Sequence, residues 1–130
     1  MKTILLCIDT DVERANEQVS AITALPMDTE QVRVVIYHVF RTDDEGANAE
    51  DLKSVQAATE SLEAAGFPVE VSQSSGDAVQ HIIEKAEEVD AAMLCLAGRK
   101  RSPAGKALFG SVTQDVSLKS DRPVILSTAE

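Results

Sequence analysis

The residues best suited to chemistry lie between Ala97 and Thr113, in the run Ala-Gly-Arg-Lys-Arg-Ser-Pro-Ala-Gly-Lys-Ala-Leu-Phe-Gly-Ser-Val-Thr. Met93-Leu94-Cys95-Leu96 ahead of it read as a buried strand, and Gly110-Ser111 near its end as the start of a helix. Arg99, Lys100, Arg101 and Lys106 gather four of the chain's twelve basic residues, with no acid between Gly98 and Lys106. Removing those four positive charges would take the formal net charge from −10 to −14. A cationic island on an acidic chain, after a strand and before a helix N-terminus, has the pattern of an anion site. The first N–H groups of a helix have no intrahelical partner, and the helix dipole favours negative charge there. The chemistry read from these residues is binding of a phosphate or a nucleotide; a solvated surface loop accounts for them equally well.

Other chemical templates fit less well. Gly98-x6-Gly105-Lys106-Ala107 has six residues where a P-loop needs four, and Ala107 stands where a Ser or Thr would hold the metal. No Gly-x-Gly-x-x-Gly follows the first strand. A phospho-acceptor domain of the receiver type would use Asp9 and Asp11 but needs a Lys after the last strand, where Ser127 stands. Neither His38 nor His81 has a nucleophile or acid at a catalytic spacing, and His38 reads as a structural imidazole near a strand end. Cys7 and Cys95 sit singly among aliphatic neighbours without CxxC spacing, as small buried hydrophobes do.

The elements that must position the basic stretch alternate along the chain. Residues 3–8 are nearly all apolar, as in a strand covered on both faces. Thr10 and Glu13 have capping-box spacing, and Val12, Ala15, Val19, Ile22 and Leu25 then recur at helical period. Val32 to Phe40 read as a second buried strand, residues 41–48 as a polar loop, and Leu52, Val55, Thr59 and Leu62 as a helix face closed by Gly66 and Pro68. Val69 and Val71 alternate with polar residues, as in a strand near a sheet edge. Asp77 then caps a helix with Val79, Ile82, Ile83, Ala86 and Val89 on its stripe, from which His81 falls away. A strand over 91–97 leads into the basic loop. Ser111 with Gln114 reads as the cap of a last helix packed through Val112 and Val116, and Val124-Ile125-Leu126 as the final strand. Five strands alternating with four helices predict a parallel sheet with right-handed crossovers and helices on both faces. Ligands of such sheets bind beyond the strand C-termini where the strand order reverses. If the first and fourth strands are neighbours there, the Asp9 turn and the basic loop share one crevice.

At 130 residues one domain, residues 1–130, is expected, with an aliphatic core, since aromatic content is 3% and Trp is absent. The charge of −10 argues against a nucleic-acid or anionic-membrane partner, which needs a broad basic face. The acid excess with only six Lys also suits solubility in high salt. No apolar run nears the roughly eighteen residues of a membrane helix, and Met1-Lys2 lead straight into a strand. A cytoplasmic location is expected.

These residues taken together resemble the universal stress protein (UspA) family over the whole length. The likeness rests on the opening strand ending Ile8-Asp9, the strand ending Tyr37-His38-Val39-Phe40, and Gly76-Asp77 before the third helix. It extends to the Gly110-Ser111 helix start and the closing Arg122-Pro123-Val124-Ile125-Leu126. ATP-binding members carry Gly-x2-Gly-x9-Gly-(Ser/Thr). Counted back from Gly110-Ser111, the two earlier glycine positions hold Ala97 and Lys100, with Gly98 one place late. The resemblance implies a flavodoxin-like three-layer α/β sandwich with a five-stranded parallel sheet in the order 3-2-1-4-5. It also implies ATP, AMP or ADP as ligand, Mg in company with it, and a homodimer through Val124–Leu126. By the same resemblance Asp9, with Thr10 beside it, would contact the adenine or ribose, and Val39 would line the base pocket. Ala97 and Gly98 would follow the ribose and phosphates, and Gly110, Ser111, Val112 and Thr113 would hold the phosphates. Lys100 in a glycine position has two opposite consequences: its side chain blocks close backbone approach, or with Arg99 and Arg101 it supplies charged contacts to phosphate. The function implied is a stress-response nucleotide sensor without robust turnover. The alternative is a stress protein that binds no nucleotide and docks protein partners through the basic loop 98–106.

Overall fold

A computed structural model describes residues 1–42, 46–100, 107–108 and 110–129. In chain order the elements are β1 (Lys2–Cys7), α1 (Val12–Thr23), β2 (Val32–Phe40), α2 (Lys53–Ala64), β3 (Val69–Ser75), α3 (Ala78–Glu88), β4 (Met93–Lys100), β5 (Ala107–Leu108), α4 (Ser111–Lys119) and β6 (Val124–Ala129). Five of the strands pair in parallel in the order β3-β2-β1-β4-β6, which is the expected 3-2-1-4-5 arrangement with β6 as its fifth strand. The two-residue β5 is an antiparallel addition to β4.

Because successive strand residues face opposite sides, strands apolar at every position require cover on both faces. Ile4, Leu6, Val34, Ile36 and Cys95 pack with Ala15, Ile22, Val55 and Leu62, residues of α1 and α2. Leu5, Val35, Tyr37, Leu94 and Leu96 pack with Ile82, Ala86 and Val116, residues of α3 and α4. β3 forms one edge and keeps a partly exposed pattern, as its alternating sequence predicts.

Local chemistry fixes the helix ends. Asp11 caps α1 by accepting from the Arg14 N–H at 3.1 Å, so the cap is one residue later than the Thr10 expected from the capping-box spacing. Asp77 caps α3 as expected. α2 ends with Gly66 at φ +98, its N–H donating to Glu63 O and that of Phe67 to Leu62 O, the two bonds of a Schellman stop. α3 ends in the same pair of bonds, from Asp90 to Glu87 and from Ala91 to Ala86. There Asp90 itself takes the left-handed conformation at φ +49. The Arg122 guanidinium covers that turn, 3.0 Å from the Asp90 carboxylate and 2.7 Å from Ala91 O.

α4 corrects two sequence expectations. Its N-cap is Gly110, with no side-chain cap bond, and Ser111 is the first helical residue, exposed. Val112 is 39% exposed, and Val116 alone is buried from this helix. The strand expected to stop at residue 97 runs on to Lys100. Gly98 and Arg99 still pair with Thr128 and Ala129 of β6, while Arg99 and Lys100 also pair with Leu108 and Ala107. A strand residue has two edges, so β5 lies along the edge of β4 that faces β1, beyond the last β1–β4 pair at Leu6–Cys95.

Candidate functional site

The β1–β4 boundary is where the sheet order reverses. The β1–β4 register ends at Leu6↔Cys95, whereas β1 continues beside β2 to Cys7↔Tyr37 and β4 beside β6 to Arg99↔Ala129. The β1–β4 pairing therefore stops short of the C-terminal ends of both strands, the place where ligands of this topology bind. Carried forward along these registers, Val39, Asp9 and Gly98 fall in one row across that edge. α4 is tied to the same edge: the Thr113 hydroxyl donates to Ala97 O at 2.8 Å. The first turn of α4, which Gly110, Ser111 and Val112 open, is thus joined to β4 at Ala97, next to Gly98, while Asp9 and Thr10 follow β1 and Val39 lies near the end of β2. For Arg99 and Lys100 the backbone lies in β4; Arg101, with 102–106, lies outside the described residues.

The Asp9 turn is held by more groups than the sequence reveals. The Asp9 carboxylate accepts from the Asp11 N–H at 2.9 Å and from Arg14 Nη1 at 2.7 Å. Its backbone carbonyl accepts from the Ser54 hydroxyl at 2.6 Å, and the neighbouring Ile8 carbonyl from His38 Nδ1 at 2.7 Å. His38 is buried and meets Phe40 edge-on at 4.6 Å, the structural imidazole expected of it. Arg14 and Ser54 were not singled out in the sequence. Arg14 could have been, because it lies three residues after Asp11 and five after Asp9, within reach of both across a helix start.

Gly110 sits at φ +70 and ψ 157, a conformation nearly restricted to glycine, and a Cβ there would meet nothing within 4 Å. The first bond of α4 is that from the Gln114 N–H to Gly110 O. With no side-chain cap bond among the described residues, the N–H groups of residues 111–113 lack a helix partner. Such a terminus can bind an anion through backbone donors and dipole.

Neither cysteine is a reactive thiolate at neutral pH. Burial, followed by the field of Cys95, pushes the Cys7 thiol far above its ordinary range, and burial raises Cys95 to about 12 despite a hydrogen bond with Gln18. Both cysteines are free. Among the described residues no group of three His, Cys, Asp or Glu could hold a metal ion, and no helix is long and apolar enough to cross a membrane.

The family model "Universal stress protein family" matches residues 1–127. A universal stress protein of Mycolicibacterium smegmatis is 37% identical over 65 residues, 49% of this chain and 50% of that protein, so the match spans about half the length of this curated relative. The solved universal stress protein from Archaeoglobus fulgidus superposes with a TM-score of 0.69 at 26% identity, covering 98% of each chain. A structure of the universal stress protein from the same organism in complex with dAMP superposes with a TM-score of 0.69 at 22% identity, again over 98% of each chain. With a sheet in the order expected of that fold and a family match over nearly its full length, this chain belongs to the universal stress protein family.

Proposed function

We propose that this chain is a stress-response protein that binds an adenine nucleotide, ATP, AMP or ADP, in the crevice between β1 and β4, as a sensor without robust turnover. The observation that carries the reading is the meeting of an uncapped helix start with a parted strand pair. Among the described residues the N–H groups of 111–113 have no cap, the helix they open is joined to β4 through Thr113 and Ala97, and the strand registers carried forward bring Asp9 and Val39 level with Gly98. In this reading Gly110, Ser111, Val112 and Thr113 hold phosphate, and Ala97 and Gly98 follow the ribose and phosphates. Val39 lines the base pocket, and Asp9, oriented by Arg14, meets the adenine or ribose with Thr10 beside it. Arg99, Lys100 and Arg101 supply charge to the phosphates. The solved relative holding dAMP supports an adenine nucleotide as the class of ligand. Turnover is left out because Asp9 is already engaged by Arg14 and His38 by Ile8 O, which leaves neither as a poised base. Mg enters with the nucleotide rather than through a protein site.

The same reading has one cytoplasmic domain, dimeric through Val124–Leu126, without nucleic-acid or membrane partners. β6 is an edge strand with Leu126 39% exposed, a surface that a second copy would cover. One observation favours a second reading. β4 runs as paired strand through Lys100, with β5 along its β1-facing edge, where binding members have glycines. A protein that docks acidic partners through residues 98–106 and binds no nucleotide would fit that arrangement.

The test is to denature freshly purified protein, identify any released small molecule by mass spectrometry, and titrate ATP and AMP into stripped protein at low and high salt. Bound adenine nucleotide or saturable binding is expected. A protein that comes empty and ignores both nucleotides at either salt overturns the reading in favour of protein docking. Strong metal-dependent ATP hydrolysis by the pure protein overturns the absence of turnover.

A further inference from the structure

Gln18 lies in α1, is fully buried, and has a polar side chain inside an aliphatic cluster. Its Nε2 donates to Cys7 O at 2.7 Å and reaches Cys95 O at 3.4 Å, so one amide touches the last residue of β1 and the last residue of β4 that pairs with it. The direction of the Cys7 carbonyl follows from peptide geometry. The Ile8 N–H of the same peptide unit donates to Tyr37 O on β2, and in a trans peptide the carbonyl points the opposite way, towards β4. In a continuing parallel ladder that carbonyl would accept from a β4 N–H. Gln18 supplies the donor instead, immediately past the final Leu6↔Cys95 pair. At its other end Oε1 is buried with no hydrogen-bond partner among the described residues. Leaving a buried acceptor unpaired is costly, so an apolar residue of the same size would serve the core better.

We propose that Gln18 is a positioning residue that holds β1 and β4 apart and so sets the width of the nucleotide crevice, a role that rests on the nucleotide reading above. It touches no ligand. Without its amide, the Cys7 carbonyl would recover a β4 donor, the ladder would extend by a rung, and the row Val39, Asp9, Gly98 would close against itself.

The variant Gln18→Met keeps length and volume and removes both polar atoms. AMP titrated by calorimetry should bind it at least tenfold more weakly than the parent. Its thermal midpoint should be equal or higher, and amide exchange should show new protection within Leu96–Gly98. Unchanged AMP affinity in a folded variant overturns the proposal, and so does lost affinity with unchanged exchange at those amides. If the parent itself does not bind AMP, the nucleotide reading fails separately. Amide exchange in Gln18→Met then decides alone: new protection within Leu96–Gly98 upholds the spacer and unchanged exchange overturns it. If the variant does not fold, the parent's own Gln18 side-chain amide is the readout. Slow proton exchange of Nε2, as a donor held in the strand gap requires, supports the proposal, and exchange as fast as that of a solvent-exposed glutamine overturns it.

Discussion

Ser111→Ala separates ligand binding from helix capping. Had Ser111 been the cap of α4, its loss would cost about 1 kcal/mol. In the structure the cap is Gly110, Ser111 is exposed at the first helical position, and its side chain makes no cap bond. Alanine is the better helix former by about half a kcal/mol. The variant should therefore unfold in urea within about 0.5 kcal/mol of the parent. Asp77→Ala, which removes the bond to the Gln80 N–H, should lose about 1 kcal/mol in the same experiment. If the Ser111 hydroxyl holds phosphate, one hydrogen bond to a charged group disappears, about 1.5–3 kcal/mol, which is about tenfold to a hundredfold in affinity for AMP. Calorimetric titration reads that loss and urea unfolding reads the first. A drop in stability of 1 kcal/mol or more in Ser111→Ala would refute the cap assignment. Parent-like AMP affinity in a protein that binds AMP would remove Ser111 from the site.

Three further outcomes follow from the packing and the caps. Gly66→Ala should cost more than about 1 kcal/mol in urea unfolding, because φ is +98 and the added Cβ would stand 3.0 Å from Thr29 Oγ1; a neutral result would mean that the turn relaxes freely. Arg122→Ala should lower the thermal midpoint by several degrees through loss of the cover over the Asp90 turn and Ala91 O, and an unchanged melt would show that the turn stands without it. Cys95 has its folded pKa raised from 9.0 to about 12, so below pH 9 both states hold the proton and its contribution is fully present. Between about 9 and 12 only the unfolded chain releases it, and stability falls as pH rises. Melting followed from pH 8 to 11 should show this decline, and Cys7→Ala/Cys95→Ala should flatten it; a slope unaffected by the double substitution would assign the alkaline loss to other groups.

What the sequence disclosed and what it hid divide along physical lines. The order of elements was legible because every strand of the sheet interior is apolar on both faces and α1, α2 and α3 carry their stripes at the helical period, whereas α4 buries Val116 alone. Caps were legible to within a residue: Thr10 and Asp11 are both cap formers in adjacent positions, and only backbone geometry selects Asp11. The extension of β4 through Gly98-Arg99-Lys100 was not legible, since strand pairing there is a matter of backbone groups and leaves no mark on side-chain pattern. Gln18 leaves a trace in the sequence. It sits three residues after Ala15 and four before Ile22, on the buried stripe itself, where a polar residue calls for a partner.

The electrostatics of the crevice come down to which donors remain free. In the proposed site Asp9 would stand beside the ligand, and an unpaired carboxylate there would oppose any phosphate. The Arg14 guanidinium at 2.7 Å offsets that charge, and in doing so uses up the cation that α1 brings to the turn. Against a chain at −10, long-range attraction cannot gather an anion, and at 0.15 M salt the screening length is only about 8 Å. Attraction must then act at contact range, as the backbone N–H groups of residues 111–113 do, whose dipolar field falls off within a turn. A site of this kind loses little affinity as salt rises, whereas one built on Arg99, Lys100 and Arg101 loses much. AMP titrations from 0.05 to 1 M salt distinguish the two: a change of under about threefold assigns the phosphate to the start of α4. A steep fall assigns it to the basic residues and overturns the contact-range argument.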